Sequence, residues 1–329
     1  MKDIVLALMR GLLVGLPLLW STSSARAIDT LRLAIQKTGT VAWELAVIRA
    51  HGLDKKADLN IAVTELASPE AGKIALRGGS ADVIIADWLW VSRERQLGTK
   101  LVFYPYSSAL GAVMVPASSS IRTFADLKGR KLAVAGGAID KNWILLQAAM
   151  KQDGIDIKSQ GDIVFGAPPL LAAKTASGEM DATLNYWNFC AALEAKGFRR
   201  VGGVEDILPK LGAKGPTAMI GYVFNERWAD KNRDLVARFI AVTRQAKEIL
   251  ATSDEEWETI APITGAPDRA TLRTYRDRYR EGIPRRPIAD EQEDARVLYK
   301  VLAETGGSDL VGPSRELDPG TFYRAIPGS

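Results

Sequence analysis

One pattern occurs twice, and it constrains the fold more than any other feature of the chain. Residues 79–88 read Gly-Ser-Ala-Asp-Val-Ile-Ile-Ala-Asp-Trp, and residues 178–187 read Gly-Glu-Met-Asp-Ala-Thr-Leu-Asn-Tyr-Trp. Both are Gly, two residues, Asp, five residues, Trp, at an offset of 99 (178 − 79). A second pair lies upstream at nearly the same offset: Leu33-Ala34-Ile35 leads through a loop to Trp43, and Leu132-Ala133-Val134 leads through Gly136-Gly137 towards Trp143. Two matches in the same order imply two similar α/β units. Each unit presents tryptophans just beyond strand ends, where open α/β sheets bind ligands.

Charge and rare residues narrow the function classes. Of the net +4, Lys2, Arg10 and Arg26 against Asp3 supply half, so too little charge remains to argue for nucleic acid. Cys190 is the only cysteine and His51 the only histidine. An internal disulfide, a thiolate cluster and a multi-histidine metal site are therefore ruled out by composition. The first 27 residues have the form of an export signal: Lys2 and Arg10, an apolar run from Gly11 to Trp20, then Ala25-Arg26-Ala27 as a small-x-small cleavage site. The apolar run falls short of the ~20 residues that span a bilayer. The expected mature chain starts near Ile28, soluble in the periplasm, with an uncleaved N-terminal anchor as the alternative.

In order, the apolar runs predict strands over 30–36, 59–66, 82–86 and 100–104, with helices between them. Thr40 is placed to open the first helix, over 41–51, and Ser68-Pro69 the second. Residues 131–135, 162–166 and 181–186 predict a second set of strands, with helices over 141–152 and from Pro168 to Ser177. This is a parallel sheet with helices on both faces, built twice. An apolar strand over 217–225 precedes helices at 233–252, 254–262, 268–281 and 288–305. That tail has no sheet of its own and is expected to pack on the first unit.

Several stretches together resemble a known family. They are the strand Leu31-Arg32-Leu33-Ala34 after an export signal, Gly52-Leu53, Ala75-Leu76-Arg77-Gly78 before Asp82, Asp126-Leu127-Lys128-Gly129-Arg130-Lys131-Leu132-Ala133-Val134, and Val223-Phe224-Asn225. The chain resembles the periplasmic solute-binding proteins of ABC importers. Within them it is most like the SsuA/THI5-like, NMT1-like branch that binds aliphatic sulfonates, taurine, nitrate and thiamine-pyrimidine compounds. The resemblance implies a type II two-lobe α/β fold, each lobe a mainly parallel sheet flanked by helices, joined by a two-strand hinge. Lobe one is expected over 28–112 and 222–329, and lobe two over 113–221. It further implies a monomer that needs no cofactor and closes on a small-molecule ligand, then docks on an ABC permease in the inner membrane. One departure stands out: where many relatives carry a Gly-Ser pair, this chain has Gly136-Gly137-Ala138, so sulfonate or nitrate does not carry over as substrate.

On such a fold the strand ends build the cleft. The candidate ligand-binding residues are Gln36, Thr40, Trp43, Ser68, Asp87, Trp88, Gly137, Asp140, Asn185, Trp187 and Asn188. Tryptophan offers a flat face to a ring or a cation. Asp87, Asp140 and Glu44 suit a cation or a hydrogen-bond donor, and Gln36, Thr40, Asn185 and Asn188 supply neutral polar groups. Trp43 and Trp143 fit the cleft or the core equally, whereas the repeat favours the cleft for Trp88 and Trp187. Asp82 and Asp181 precede their strands at the far end and read as turn or cap residues. Gly78, Gly79 and Gly178 read as helix stops. His51 reads as a helix cap and Cys190 as a buried hydrophobe. Glu255, Glu256 and Glu258 read as a solvated face, and nothing in the sequence argues for Trp90 or Trp257 in the site.

The expected function is capture and delivery of a small organic solute, not catalysis. Two alternatives stay open: a pyrimidine-synthase-like enzyme on the same scaffold, and a ligand-sensing partner of a membrane receptor. The enzymes of the first kind use a cysteine-rich stretch with histidine, which one Cys and one His do not supply. The ligand's identity and charge are not decided by the residues.

Overall fold

The computed structural model describes residues 28–37 and 39–324; the export signal expected over residues 1–27 lies outside them. Two five-stranded sheets organise the chain. The first holds β1 (Asp29–Gln36), β2 (Leu59–Leu66), β3 (Val83–Asp87), β4 (Leu101–Ser107) and, from far along the chain, β10 (Ile220–Asn225), in the order β2-β1-β3-β10-β4. The second holds β5 (Gly111–Val115), β6 (Lys131–Ala135), β7 (Asp162–Gly166), β8 (Ala182–Tyr186) and β9 (Arg199–Gly203), in the order β7-β6-β8-β5-β9. In both sheets the first three strands run parallel and the fourth is antiparallel to its neighbours. The α/β fold of two helix-flanked, mainly parallel sheets is as expected.

The sequence repeat is visible in the register. Leu33 lies opposite Val83 in the first sheet and Leu132 opposite Ala182 in the second, each residue 99 later. The repeated aspartates explain themselves at the same place. Asp82 Oδ2 accepts the backbone N–H of Arg32, and Asp181 Oδ2 accepts that of Lys131, both at 2.8 Å. Each carboxylate pins the start of the central strand to its neighbour, at the sheet end away from the cleft. The repeated glycines at 79 and 178 have φ of 71° and 83°, a left-handed turn that ends the preceding helix at little cost only for glycine.

Helices fill the layers. Lobe one carries α1 (Val41–Ala50), α2 (Leu53–Lys56), α3 (Pro69–Arg77) and α4 (Trp88–Gln96); lobe two carries α5 (Lys141–Gln152), α6 (Ile157–Gln160), α7 (Pro168–Ala176), α8 (Trp187–Ala195) and α9 (Val204–Ile207). The tail forms α10 (Glu226–Lys231), α11 (Arg233–Thr252), α12 (Asp254–Thr264), α13 (Arg269–Glu281) and α14 (Ile288–Val311), the last kinked at Gly307. Its packing differs from expectation. α11 and α12 cover α1 of lobe one, but α13 lies against α8 of lobe two, and α14 against both α4 and α5. The reason is local: Arg278 of α13 makes a forked ion pair with Glu194 of α8 at 2.7 and 3.0 Å, holding the helix across the lobes.

The chain passes between the sheets at Ser108–Leu110 and again between β9 and β10, over residues 204–219. The two strands expected to link the lobes, β5 and β10, each pair wholly within one sheet. Among the described residues no helix is long and apolar enough to cross a membrane.

Candidate functional site between the lobes

The carboxyl ends of β3 and β8 carry the polar part of the site. Asp87 ends β3 and caps α4, its Oδ1 accepting the Trp90 N–H at 2.8 Å. Asp140 caps α5 in the same way, accepting the Asn142 N–H at 2.9 Å. A carboxylate at a helix start satisfies an orphan amide and sits in the favourable end of the helix dipole. Both helix starts are thus already filled by the protein's own anions. Tyr186, the last residue of β8, donates its hydroxyl to Asp140 Oδ2 at 3.1 Å. Gly136 makes room for that pair: its φ is 89°, and a Cβ there would stand 3.0 Å from both the Asp140 carboxylate and the Tyr186 hydroxyl. Lys141 Nζ reaches across the lobes to Asp87 Oδ2 at 3.8 Å.

Burial governs the electrostatics. It raises the Asp140 carboxyl above its ordinary range, against the pull of Lys141. It raises the Tyr186 phenol too, and the charges of Asp140, Asp87 and Glu70 push it further. A cavity of about 210 Å³ opens here, lined by Asp87, Trp90, Ile139, Asp140 and Lys141 among others. Most small-molecule sites enclose roughly 300–1,000 Å³, so this opening is smaller than the usual site for a drug-sized solute.

An aromatic cluster forms the other part. Trp43 of α1 meets Trp187 of α8 edge-to-face, ring centroids 5.7 Å apart, so the lobes touch through these two rings. Trp257 stands 5.6 Å from Trp43, and Tyr275 and Tyr279 of α13 pack at 5.4 and 6.0 Å. Beneath them Glu44 is 1% exposed and holds three donors: the Lys247 ammonium, the Tyr279 hydroxyl at 2.6 Å and the Tyr222 hydroxyl at 2.9 Å. Lys247 also sits 4.0 Å over the Tyr106 ring. Burial lowers the Lys247 ammonium, with Glu44 opposing. Glu44 is therefore an internal counter-ion, already committed to a cation of its own.

The remaining candidates fall into place as follows. Gln36 is half-buried, and its carbonyl accepts the Gly39 N–H. The Thr40 hydroxyl pairs with that of Tyr106 at 3.1 Å. Ser68 caps α3 through the Ala71 N–H. The carbonyl of Gly137 accepts the Asp140 N–H at 2.9 Å. Asn185 is buried, with its amide spent on the Pro168 carbonyl and the Tyr186 N–H. Asn188 is half-buried in the first turn of α8. Trp88 departs from expectation: it is 0% exposed, its indole N–H donates to the Ala218 carbonyl at 3.0 Å, and Tyr299 of α14 covers its ring. Lobe one is capped there by a tail helix, so the matched position becomes core. Trp143 is also core, packed on Phe165. Glu256 is buried and bonded to His51 at 2.9 Å, not solvated. Trp90, Lys141, Tyr186, Trp257, Tyr275 and Tyr279 are additions. The i, i+4 spacing of Tyr275 and Tyr279 is the one sequence signal that marks a shared helix face.

The sequence model of the NMT1/THI5-like family matches residues 45–256. No curated protein matches by sequence. Among solved structures, the periplasmic aliphatic sulphonate binding protein SsuA from Escherichia coli superposes with a TM-score of 0.71 at 20% identity, over 90% of this chain and 92% of that one. The alkanesulfonate-binding protein SsuA from Xanthomonas axonopodis pv. citri, bound to MOPS, gives 0.65 at 21% identity over 89% and 98%. The desulfurization enzyme DSZB gives 0.56 at 16% identity over 87% and 97%. At such identities the likeness is one of fold, shared by binding proteins and an enzyme.

Proposed function

Because this chain belongs to the NMT1/THI5-like family, we propose that it is an exported substrate-binding protein of an ABC importer. It captures a small organic solute between its lobes in the periplasm and delivers it to a membrane permease. The observation that carries this reading is the meeting of carboxyl strand ends from the two lobes. Asp87 of β3 faces Lys141 and Asp140 beyond β6, and Trp43 faces Trp187. Two matched halves that contribute polar and aromatic groups to one gap suit enclosure of a ligand by hinge closure. The ligand then favours the closed form through contacts that only that form completes.

The charged groups lining the gap are of both signs, the carboxylates of Asp87, Asp140 and Asp309 against the cations Lys73, Arg93 and Lys141. Such a set orients a polar organic solute through a few contacts while the aromatic rings supply apolar area. The supply of nucleophiles favours capture over chemistry. The Cys190 thiol is pushed up to about 12 by burial, and it contacts the carbonyls of Ala112 and Asn185 instead of an opening.

The test is native mass spectrometry of the protein purified from its own host, followed by identification of the released solute. That solute is then titrated into stripped protein by tryptophan fluorescence. A one-to-one solute that rebinds unchanged, and binds more weakly to Asp140→Asn, supports the reading. Conversion of the solute to a new product during incubation would replace it with the enzymatic alternative.

A further inference from the structure

Both passages of the chain between the lobes are tied to one short stretch, residues 282–294, the α13–α14 connection together with the first two turns of α14. At the first passage, Ser108 donates its backbone N–H to the Gly282 carbonyl at 2.9 Å and its hydroxyl to the same oxygen at 3.2 Å. Ala109 presses on Gly282 so closely that an added Cβ would stand 2.5 Å from its own. At the second passage, Gly215 N–H donates to Asp294 Oδ2 at 3.2 Å, and Arg286 bridges Asp294 and the Pro216 carbonyl. Three residues on, Ala218 is gripped from both sides: its N–H donates to Glu291 Oε2 at 2.7 Å and its carbonyl accepts the Trp88 indole. Thr217, Ala218 and Met219 are all 0% exposed.

We propose that residues 282–294 are a latch on both inter-lobe passages, and that protonation of Glu291 sets how firmly the second passage is held. The carboxyl is 1% exposed, and its Oε1 has no hydrogen-bond partner among the described residues. The charged groups that face it are Arg286 from the latch loop and Asp290 and Asp294 from its own helix; α4 presents the uncharged Trp88 indole, and the passage presents the Ala218 backbone. One cation is shared with Asp294, so ionising Glu291 places a second charge in a dry site that lacks the donors to hold it. Burial accordingly raises its pKa to about 7, helped by Asp294 and Asp290 and opposed by the Ala218 bond and Arg286. The neutral acid holds Ala218; above neutrality, opening to water is favoured because the released carboxyl ionises freely. The proposal stands independently of the solute-binding reading.

Amide hydrogen exchange at Ala218, corrected for intrinsic base catalysis, reads this opening directly. With a pKa of about 7 latched and 4.5 when released, the opening constant rises about tenfold between pH 6 and pH 8. The expected result is that rise at Ala218, absent at Val223 in β10, and abolished in Glu291→Gln. Equal protection of Ala218 at the two pH values overturns the proposal. So does a rise shared equally by Val223, which would report loosening of the whole lobe, and this comparison needs only the unmodified protein. A rise undiminished in a folded Glu291→Gln protein assigns the effect to another group and is equally fatal.

Discussion

The Glu44 cluster offers a sharp test of how the aromatic part of the site is held. Glu44→Ala removes the acceptor of three buried donors, the Lys247 ammonium and the Tyr222 and Tyr279 hydroxyls. Breaking one side of a buried ion pair costs about 3–5 kcal/mol, because the surviving charge keeps its desolvation penalty. With a urea m-value of about 3 kcal/mol/M, the unfolding midpoint falls by roughly 1–1.7 M. Glu44→Gln keeps an acceptor for the tyrosines but strands Lys247. Burial already lowers that ammonium, so the unfolded chain binds the extra proton and stability rises with pH; the deficit of Glu44→Gln should therefore shrink from pH 7 towards pH 9. The double variant Glu44→Gln, Lys247→Met removes the stranded charge and recovers most of the loss. Urea titrations followed by tryptophan fluorescence measure all four proteins. If Glu44→Ala moves the midpoint by less than about 0.3 M, or if the double variant is no better than Glu44→Gln, the pair is hydrated and the argument fails.

Three further outcomes follow from single contacts. Asp82→Ala should cost about 2–3 kcal/mol and Asp181→Ala about 1 kcal/mol in urea unfolding, because Asp82 also takes two guanidinium bonds from Arg32 and is buried whereas Asp181 is exposed; equal losses would show that the strand clip, common to both, is the whole effect. Trp187→Ala should weaken the released solute roughly tenfold, the ~1–1.5 kcal/mol of an aromatic face, while Trp143→Phe leaves the titration unchanged because that ring is in the core. Cys190 should resist a thiol reagent such as dithiobis-nitrobenzoate in the native protein and react only on unfolding, since its thiol is buried; stoichiometric labelling within minutes under native conditions would contradict the placement.

Several elements were written plainly in the sequence, including β2 and β7, which are edge strands and only partly buried. Strands 59–66, 131–135 and 162–166 and helices 141–152 and 233–252 have the expected bounds. Turn and cap residues beside them, such as Gly136 after 131–135, Pro168 after 162–166 and Gly154 after 141–152, mark where they stop. The helices at 53–56, 157–160, 204–207 and 226–231 escape the same reasoning, being four to six residues long. That is too short for a helical period to show above local composition.

The site was legible where it is local and opaque where it is not. Asp87 and Asp140 stand directly after strand-and-loop signals, so their capping positions follow from the short range. Trp43 and Tyr279 are brought together from opposite ends of the chain, and no local pattern ties α13 to α1. The repeat itself misleads at Trp88. Matched topology places residues 88 and 187 alike relative to their sheets, but the tail breaks the symmetry. α14 lays Tyr299 over Trp88, while α13 leaves Trp187 half-buried, in contact with Trp43 and Tyr279. A duplicated framework thus specifies where strand ends point. Which of its two equivalent positions becomes core and which stays half-buried between the lobes is decided by the unpaired helices that follow it.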